Sequence, residues 1–310
     1  YGQWKHKFHE DWTLNLGLHS LYFQLNENLT LEPRLGLQWR FTEGQSLNFG
    51  LGVHSRLEDM SVYMARQQQE DGSFIQPNKD LDLTKAVHYV IGYDRMLNEN
   101  LHLKTELYYQ HLFDVPVEND PASAVSSINA GAGYSTEDFV NDGTAYNVGV
   151  ELTLERFFSE RFYYMFTGSI FDSKYQAKDG KTYDSRYNAN YRFSLLGGKE
   201  FAMGKDDNNF LGVNLKGIWS GGNRYSPIDL DASIASGETE TLEGLDWTEQ
   251  APDYWRVDLT TSYRINKPKA AHIISLQVQN VTNRENIFGY SYNDNTQQIE
   301  DRTEERRVGH

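Results

Sequence analysis

The chain has 310 residues, of which 38% are hydrophobic and 14% aromatic, and its formal net charge is -15. This charge argues against a nucleic-acid partner, because phosphate binding requires Lys and Arg on one face. The absence of cysteine excludes disulfides and thiolate metal sites. No apolar run reaches the roughly 18 residues that a transmembrane helix needs. The mean hydropathy of -0.67 fits either a soluble protein or a transmembrane β-barrel, whose strands are polar at every second residue.

Alternating segments follow one another along the chain. Between residues 29 and 41, apolar residues take every odd position and polar residues or glycine take every even one. A period of two predicts a β-strand with one apolar and one polar face. The same alternation predicts eleven strands, at 12–18, 29–41, 47–53, 87–93, 101–110, 146–155, 162–171, 187–198, 210–219, 254–265 and 272–281, with a shorter one at 1–5.

The lengths of the strands and of their connections favour a membrane barrel. Most segments have 10 to 13 residues, whereas globular strands average about 5–6 and strands that cross a bilayer need about 9–11. Outer-membrane barrels have short periplasmic turns and long extracellular loops. The short connections are 42–45, 95–100, 157–161, 203–209 and 266–270, the long polar ones are 58–82, 112–145, 172–186 and 220–253, and 24–28 is a short exception on the long side.

In a barrel of this kind the apolar face meets lipid and the polar face lines a wet lumen. Aromatic residues should form a belt at each end of the strands. The inner belt would hold Trp12, Phe41, Tyr93 and Tyr263, and the outer belt Tyr22, Tyr109, Tyr146, Trp219 and Trp255. The predicted lumen-lining residues are Arg34, Arg40, His54, His88, Glu106 and Arg256. Pro33 has no N–H, so we expect a bulge or a missing ladder bond there.

Histidines are the candidates for metal or proton chemistry. The His6-x-x-His9 pair is predicted to lie in a solvated turn, where no helix brings the ligands together. His19, His54 and His88 share the lumenal parity on different strands; lumen lining is the favoured role, and a metal or proton site is the alternative. Adjacent His and Ser residues point to opposite faces of a strand and cannot act as base and nucleophile. We predict no catalytic residue, no metal ligand and no cofactor.

The long loops are acidic. Residues 58–82, 112–145 and 221–253 carry net charges of -4, -6 and -7. Such runs are usually solvated; the alternatives are bridging by divalent cations or a field that attracts cationic ligands. Aromatic residues in these loops could stack on a ligand or pack into the core of their own loop. The candidate ligand-binding residues are Tyr63, Phe74, Tyr225 and Trp247.

Five motifs carry a more specific signal: LEPRLGLQW (31–39), YYQHLFDVPVE (108–118), LGGKEF (196–201), GGNRYSPID (221–229) and VQNVTNREN (278–286). Together they resemble the barrel of TonB-dependent outer-membrane receptors, in the branch that carries a carboxypeptidase-regulatory-like domain before its plug. The resemblance covers essentially the whole chain. The motif at 278–286 is the most specific of the five, whereas alternating strands alone are generic.

The resemblance implies a barrel of about 22 strands around an N-terminal plug, and a barrel of this size encloses a lumen that has to be plugged. Such receptors import a scarce ligand, of the siderophore, metal-complex, vitamin or oligomeric-nutrient class, with energy relayed by TonB. We expect residues 1–310 to form one partial all-β, antiparallel barrel domain of about 11–12 strands. The plug, the signal peptide and the final strand are expected to be missing from it.

The resemblance further implies a location in the outer membrane of a Gram-negative bacterium. The implied partners are the TonB complex, reached through the missing N-terminal region, outer-membrane lipid and lipopolysaccharide, and a small-molecule ligand. An enzyme is not expected. One alternative is a passive porin-like channel, which an open lumen would favour. The other is a soluble ligand-binding β-protein, which a need for detergent would exclude.

Overall fold

The computed structural model describes residues 1–129, 137–204 and 207–303. Among these residues, no helix has the length and apolar character needed to cross a membrane. The helices are α1 (Met60–Tyr63), α2 (Leu230–Ser236) and a short 3-10 helix (Ser127–Asn129). The strands are β1 (Gly2–His9), β2 (Trp12–Phe23), β3 (Asn28–Thr42), β4 (Gln45–Arg56), β5 (Gln67–Gln68), β6 (Phe74–Ile75), β7 (Thr84–Asn98), β8 (Leu101–Glu118), β9 (Phe139–Ser159), β10 (Phe162–Gln176), β11 (Thr182–Asp184), β12 (Tyr191–Met203), β13 (Asn209–Ser220), β14 (Arg224–Tyr225), β15 (Glu249–Gln250), β16 (Tyr254–Lys267), β17 (Ala270–Val278), β18 (Ile287–Asn293) and β19 (Gln298–Thr303).

One antiparallel sheet contains all the long strands. Twelve of them follow in the order β1-β2-β3-β4-β7-β8-β9-β10-β12-β13-β16-β17, and β11 adds a thirteenth strand beside the end of β10. Each long strand pairs with the next long strand in sequence. In the described part of the chain β1 and β17 do not pair with each other, so the sheet is open at both edges. The predicted all-β, antiparallel architecture with eleven strands and a short first one is confirmed.

The connections alternate as predicted. Turns of two residues join β1 to β2, β3 to β4, β7 to β8, β9 to β10 and β16 to β17, and all of them lie at one end of the sheet. The long connections 57–83, 177–190 and 221–253 lie at the opposite end, which we call the loop end. The described residues of the connection between β8 and β9 lie there too. The short connection 24–27 also lies there, as expected from the sequence.

Several predicted boundaries were wrong. The strand expected at 187–198 begins only at Tyr191 and runs to Met203, because the residues before Tyr191 make loop hydrogen bonds instead. Strands β8 and β9 extend into the predicted loop 112–145. His6 and His9 lie within β1 and not in a turn. Pro33 keeps regular register with β2 and causes no bulge there, but the β3–β4 pairing ends beside it at Arg34.

The apolar face of the sheet is exposed and the polar face is buried, which is the opposite of what a soluble protein shows. Large apolar residues are exposed, with Leu31 at 62% and Ile170 at 63% of their surface. Polar residues on the opposite face are buried, with Thr30 at 4% and Glu32 at 2%. A soluble sheet would bury the apolar side. We call the exposed apolar side the outer face and the polar side the lumenal face, and this arrangement is that of a transmembrane β-barrel segment.

Aromatic residues gather at both ends of the outer face. At the turn end Trp12 stacks on Trp39, with ring centroids 5.1 Å apart, and Phe8 extends the row at 6.1 Å from Trp12. At the loop end Tyr191 meets Trp219 edge to face at 5.3 Å. Rings at both boundaries, with aliphatic residues between them, are typical of interfacial belts.

Candidate ligand-binding site at the loop end

The long loops fold inward over the lumenal face. Phe23, on that face at the end of β2, packs with Val62, Tyr63, Leu81 and other residues of loop 57–83 into one hydrophobic cluster. The Tyr63 ring lies 4.9 Å from that of Phe23 and has no exposed surface. Burial raises the pKa of the Tyr63 hydroxyl. This location corresponds to the alternative role considered for Tyr63, packing within the core of its own loop.

A second cluster fixes the neighbouring loops. Tyr175, on the lumenal face of β10, packs with Tyr183 of β11, and their ring centroids are 5.5 Å apart. The Tyr175 hydroxyl donates to the carbonyl oxygen of Ala124 at 2.9 Å, and the Tyr183 hydroxyl donates to Asp179 at 2.6 Å. Trp247, from loop 221–253, packs against the same cluster. Three loops therefore converge on the lumenal side of the sheet.

Asn188 holds loop 177–190 in place. Its side chain is fully buried and donates to Asp172 at 2.8 Å and Asp184 at 2.6 Å, while its amide oxygen accepts from the backbone N–H of Ser173 at 3.1 Å. Arg224 of the next loop donates to the Asn188 carbonyl oxygen at 3.2 Å. Satisfied buried networks of this kind rigidify the segments that they join.

Two glycines at the start of loop 221–253 allow the backbone to pass close to residues 189 and 251. A Cβ atom at Gly221 would lie 2.0 Å from the carbonyl oxygen of Ala189, and one at Gly222 would lie 1.9 Å from that of Ala251. Both distances are far below van der Waals contact, so only glycine permits the close backbone approach. The pair opens the motif GGNRYSPID (221–229), which gives that motif a structural role.

A pocket of 500 Å³ lies between loop 177–190, loop 221–253 and the β18–β19 hairpin. Its size falls within the range of small-molecule sites, about 300–1,000 Å³. Its aromatic residues include Tyr225 and Tyr290, whose rings are 4.9 Å apart, together with Trp247 and Phe288. Burial, and secondarily the nearby Tyr290, raise the pKa of the Tyr225 hydroxyl.

The pocket carries positive charge, although the loops around it are acidic. Arg186, Arg224 and Arg302 line it, and Asp301 is the acidic residue among its lining side chains. Arg224 lies 3.8 Å from Asp184. Arg186 and Arg302 form no salt bridge with any residue that the structure describes. Their guanidinium groups are thus available to an anionic ligand.

The loop aromatics predicted from the sequence do not form one group. Tyr225 and Trp247 line the pocket. Phe74 lies on β6, is 63% exposed and is not part of the pocket lining. The pocket residues outside loop 221–253, such as Arg186 and Tyr290, have no local sequence signal, because they come together only through the folding of three distant segments.

Three of the predicted lumenal residues form one cluster. The rings of His54 and His88 are 4.5 Å apart, and Arg34 and His54 both approach the space above Gly52. The cluster continues to Glu32, whose side chain is 3% exposed and which lies 3.1 Å from Arg34. Glu32 lies equally close, at 3.1 Å, to the imidazole of His19. A carboxylate removed from water in this way requires such partners.

The remaining predicted lumenal residues lie apart from this cluster. Glu106 pairs with Lys104 at 2.7 Å, Arg256 pairs with Asp258 at 3.0 Å, and Arg40 donates to the Glu10 carbonyl oxygen. Within the described residues, no three His, Asp or Glu side chains are placed to hold a metal ion.

Comparison with known proteins identifies the family. The family model described as TonB dependent receptor-like, beta-barrel, matches residues 1–283, and the chain belongs to this family. No curated protein sequence matches the chain. Members of the family are outer-membrane proteins of Gram-negative bacteria, and the family and its fold neighbours are receptors and transporters rather than enzymes.

Solved structures share the fold. The ferric-catecholate import receptor Fiu from E. coli K12 is 13% identical with a TM-score of 0.62, over 96% of this chain and 42% of its own. The ferripyoverdine receptor of Pseudomonas aeruginosa is 17% identical with a TM-score of 0.64, over 93% of this chain and 34% of its own. The ferric yersiniabactin uptake receptor FyuA from Yersinia pestis is 10% identical with a TM-score of 0.62, over 97% and 42%. The chain thus spans less than half the length of each.

Proposed function

We propose that the chain forms part of the barrel of an outer-membrane receptor that captures a ligand in the loop-end pocket and imports it actively. The main support for this function is the preformed pocket on the lumenal side of a sheet whose outer face is apolar. A ligand held there lies at the mouth of the lumen, on the side where outer-membrane barrels meet the exterior.

The pocket chemistry supports an anionic ligand with flat rings, such as a metal chelate. Two arginines without salt bridges to described residues, Arg186 and Arg302, offer planar donors that match carboxylate or phenolate oxygens. Tyr225, Tyr290 and Trp247 offer ring faces for stacking. The ligands in the names of the structural neighbours, a ferric catecholate and ferripyoverdine, belong to those proteins, and they agree with this class.

The proposed energy source is the TonB complex. Membership of the TonB-dependent receptor family supports a partner of this kind. A passive porin would need no such partner. The distinguishing property is therefore energy dependence, since diffusion through a porin continues when the proton gradient collapses.

The test uses cells that produce the receptor and lack other iron receptors. We expect import of radiolabelled ferric tris(catecholate), and none of the cationic cobalt(III) hexammine. Collapse of the proton gradient should stop import but leave surface binding intact. Arg186→Gln removes one charged hydrogen bond, worth about 1.5–3 kcal/mol, and should weaken binding about 10- to 150-fold.

Lys178→Gln is the matched control, because Lys178 pairs with Asp142 of β9 and does not line the pocket. It should leave binding unchanged. Import that continues without a proton gradient would favour a porin. Equal effects of the two substitutions would show that the pocket is not the binding site.

A further inference from the structure

A groove lies on the outer face of the sheet near its loop end, across β10, β12, β13 and β16. It encloses 610 Å³. Gly217 forms its floor, and nothing lies within 4 Å of the position that a Cβ atom would take there. The walls are apolar and come from outer-face positions: Phe166, Phe193, Leu195, Trp219, Trp255 and Val257.

The aromatic walls of the groove support one another. Phe166 and Phe193 stack with centroids 6.2 Å apart, and Phe193 lies 5.6 Å from Trp219. Trp219 is also directly opposite Trp255 in the β13–β16 register. Rings fixed by such contacts keep the groove open without a ligand, so an occupant would not need to order its walls.

Polar groups close the groove at its loop end. One carboxylate oxygen of Asp253 accepts from the Tyr191 hydroxyl at 2.6 Å and from the Trp219 indole N–H at 3.0 Å. Arg284 lies over the Trp255 ring, 5.0 Å from its centroid, and donates to the backbone carbonyl oxygen of Asp253 at 3.1 Å.

The charge of Arg284 is not neutralised by an ion pair. Arg284 binds the carbonyl group of Asp253 and not its carboxylate, and it forms no salt bridge with the part of the chain that the structure describes. A guanidinium group without a carboxylate partner among the described residues would gain from an oxyanion placed beside it.

Asp253 and Arg284 lie at the level of the outer boundary of the membrane. Tyr191, Trp219 and Trp255 lie at the loop ends of their strands. Amphipathic rings at this position mark the level of the lipid head groups. The groove therefore runs from head-group level, at Arg284, toward the hydrocarbon, along Gly217.

We propose that this groove is a specific site for one lipid A molecule of the outer leaflet. An acyl chain lies over Gly217 between the Phe193 and Trp255 walls, and a phosphate group binds Arg284. The apolar walls match the chain, and guanidinium matches phosphate in charge and donor geometry. The proposal rests on the outer-membrane location proposed above, but not on the identity of the imported ligand.

The test measures lipid retained by the whole receptor after extraction in mild detergent, by native mass spectrometry. Two substitutions address the two halves of the site. Gly217→Leu fills the floor of the groove, and Arg284→Gln removes the cation beside Trp255 at its loop end. Each should lower the amount of lipid A per receptor at least about fivefold, while the heat-modifiable band that reports a folded barrel stays.

Two controls match these changes. Val213→Leu adds bulk on the outer face of the same strand but outside the groove. Lys199→Gln removes a cation that lies 5.5 Å from the centroid of the Phe201 ring, at the turn end of β12. Neither should change lipid A retention.

A second measurement covers a variant that fails to assemble. Wild-type receptor in phosphatidylcholine nanodiscs is titrated with lipid A, and tryptophan fluorescence should change with saturation, less so for Arg284→Gln. Undiminished lipid A retention by both groove variants would overturn the proposal. So would retention of a glycerophospholipid or of another protein's apolar segment at this groove. Ligand import is measured in parallel, and its loss alone would bear on the proposed function only.

Discussion

Replacing Leu107 by Arg places a charge in the middle of β8 on the outer face. Leu107 is 50% exposed and pairs with Ile91 and Val150, which are 49% and 45% exposed. In water, a substitution at such a surface position changes stability by less than about 0.5 kcal/mol. At a bilayer midplane Arg costs about 2–4 kcal/mol, which corresponds to about a 30- to 700-fold change in the folding equilibrium. The burial pattern predicts the larger effect.

The assay is urea titration of the whole receptor refolded into phospholipid vesicles, read by heat-modifiable mobility. Glu151→Arg is the matched control, because it introduces the same residue next to Val150 on the lumenal face. Glu151 is directly opposite Glu106 in the β8–β9 register, so Arg there replaces a pair of like charges by opposite ones. Its stability should stay equal or rise slightly. Small and equal effects at Leu107 and Glu151 would refute the lipid exposure of β8.

Three further changes test the lumenal face and the loops. Glu32→Gln removes the charge from a carboxylate that lies 3.1 Å from both Arg34 and His19 and whose side chain is 3% exposed. It should lower the free energy of unfolding by about 1–3 kcal/mol, whereas Glu106→Gln, at a side chain 29% exposed, should cost less than about 1 kcal/mol. Asn188→Ala should make loop 177–190 cleavable by trypsin on intact cells, where the wild type resists. Gly222→Ala should abolish ligand binding with the barrel still assembled, whereas Gly36→Ala, whose Cβ would meet its nearest atom at 3.7 Å, should change neither property.

Local periodicity is sufficient to predict the strands but not all of their ends. The strand predicted at 29–41 spans Asn28–Thr42, because each residue's face depends only on its parity. The strand predicted from residue 187 begins at Tyr191, because buried Asn188 binds side chains of β10 and β11 and takes the preceding residues into a loop. The alternation of apolar and polar residues along a strand contains no information about such a long-range hydrogen bond.

The pocket depends on contacts that no single segment encodes. Tyr63 and Tyr225 are both aromatic residues in acidic loops, yet Tyr63 is enclosed by its own loop and Phe23, while Tyr225 lines the pocket. Their difference arises from which distant residues pack against them. The local signal for the pocket was the Gly221–Gly222 pair, since consecutive glycines before Arg224 mark a close backbone approach.

Strand β3 separates lipid from a wet lumen, and single cysteines at two consecutive positions of this strand test that separation most directly. The 310 residues contain no cysteine, and with any cysteine elsewhere in the whole receptor replaced by serine, each substitution reports only its own site. Arg34 faces Gly52 and Leu35 faces Leu51 in the β3–β4 register, on opposite faces. In the whole receptor in outer membranes, Arg34→Cys should react with a charged, water-soluble maleimide, and Leu35→Cys only with a membrane-soluble one. The reverse labelling, or equal labelling of both positions by the charged reagent, would show that the two faces of β3 do not separate lipid from water.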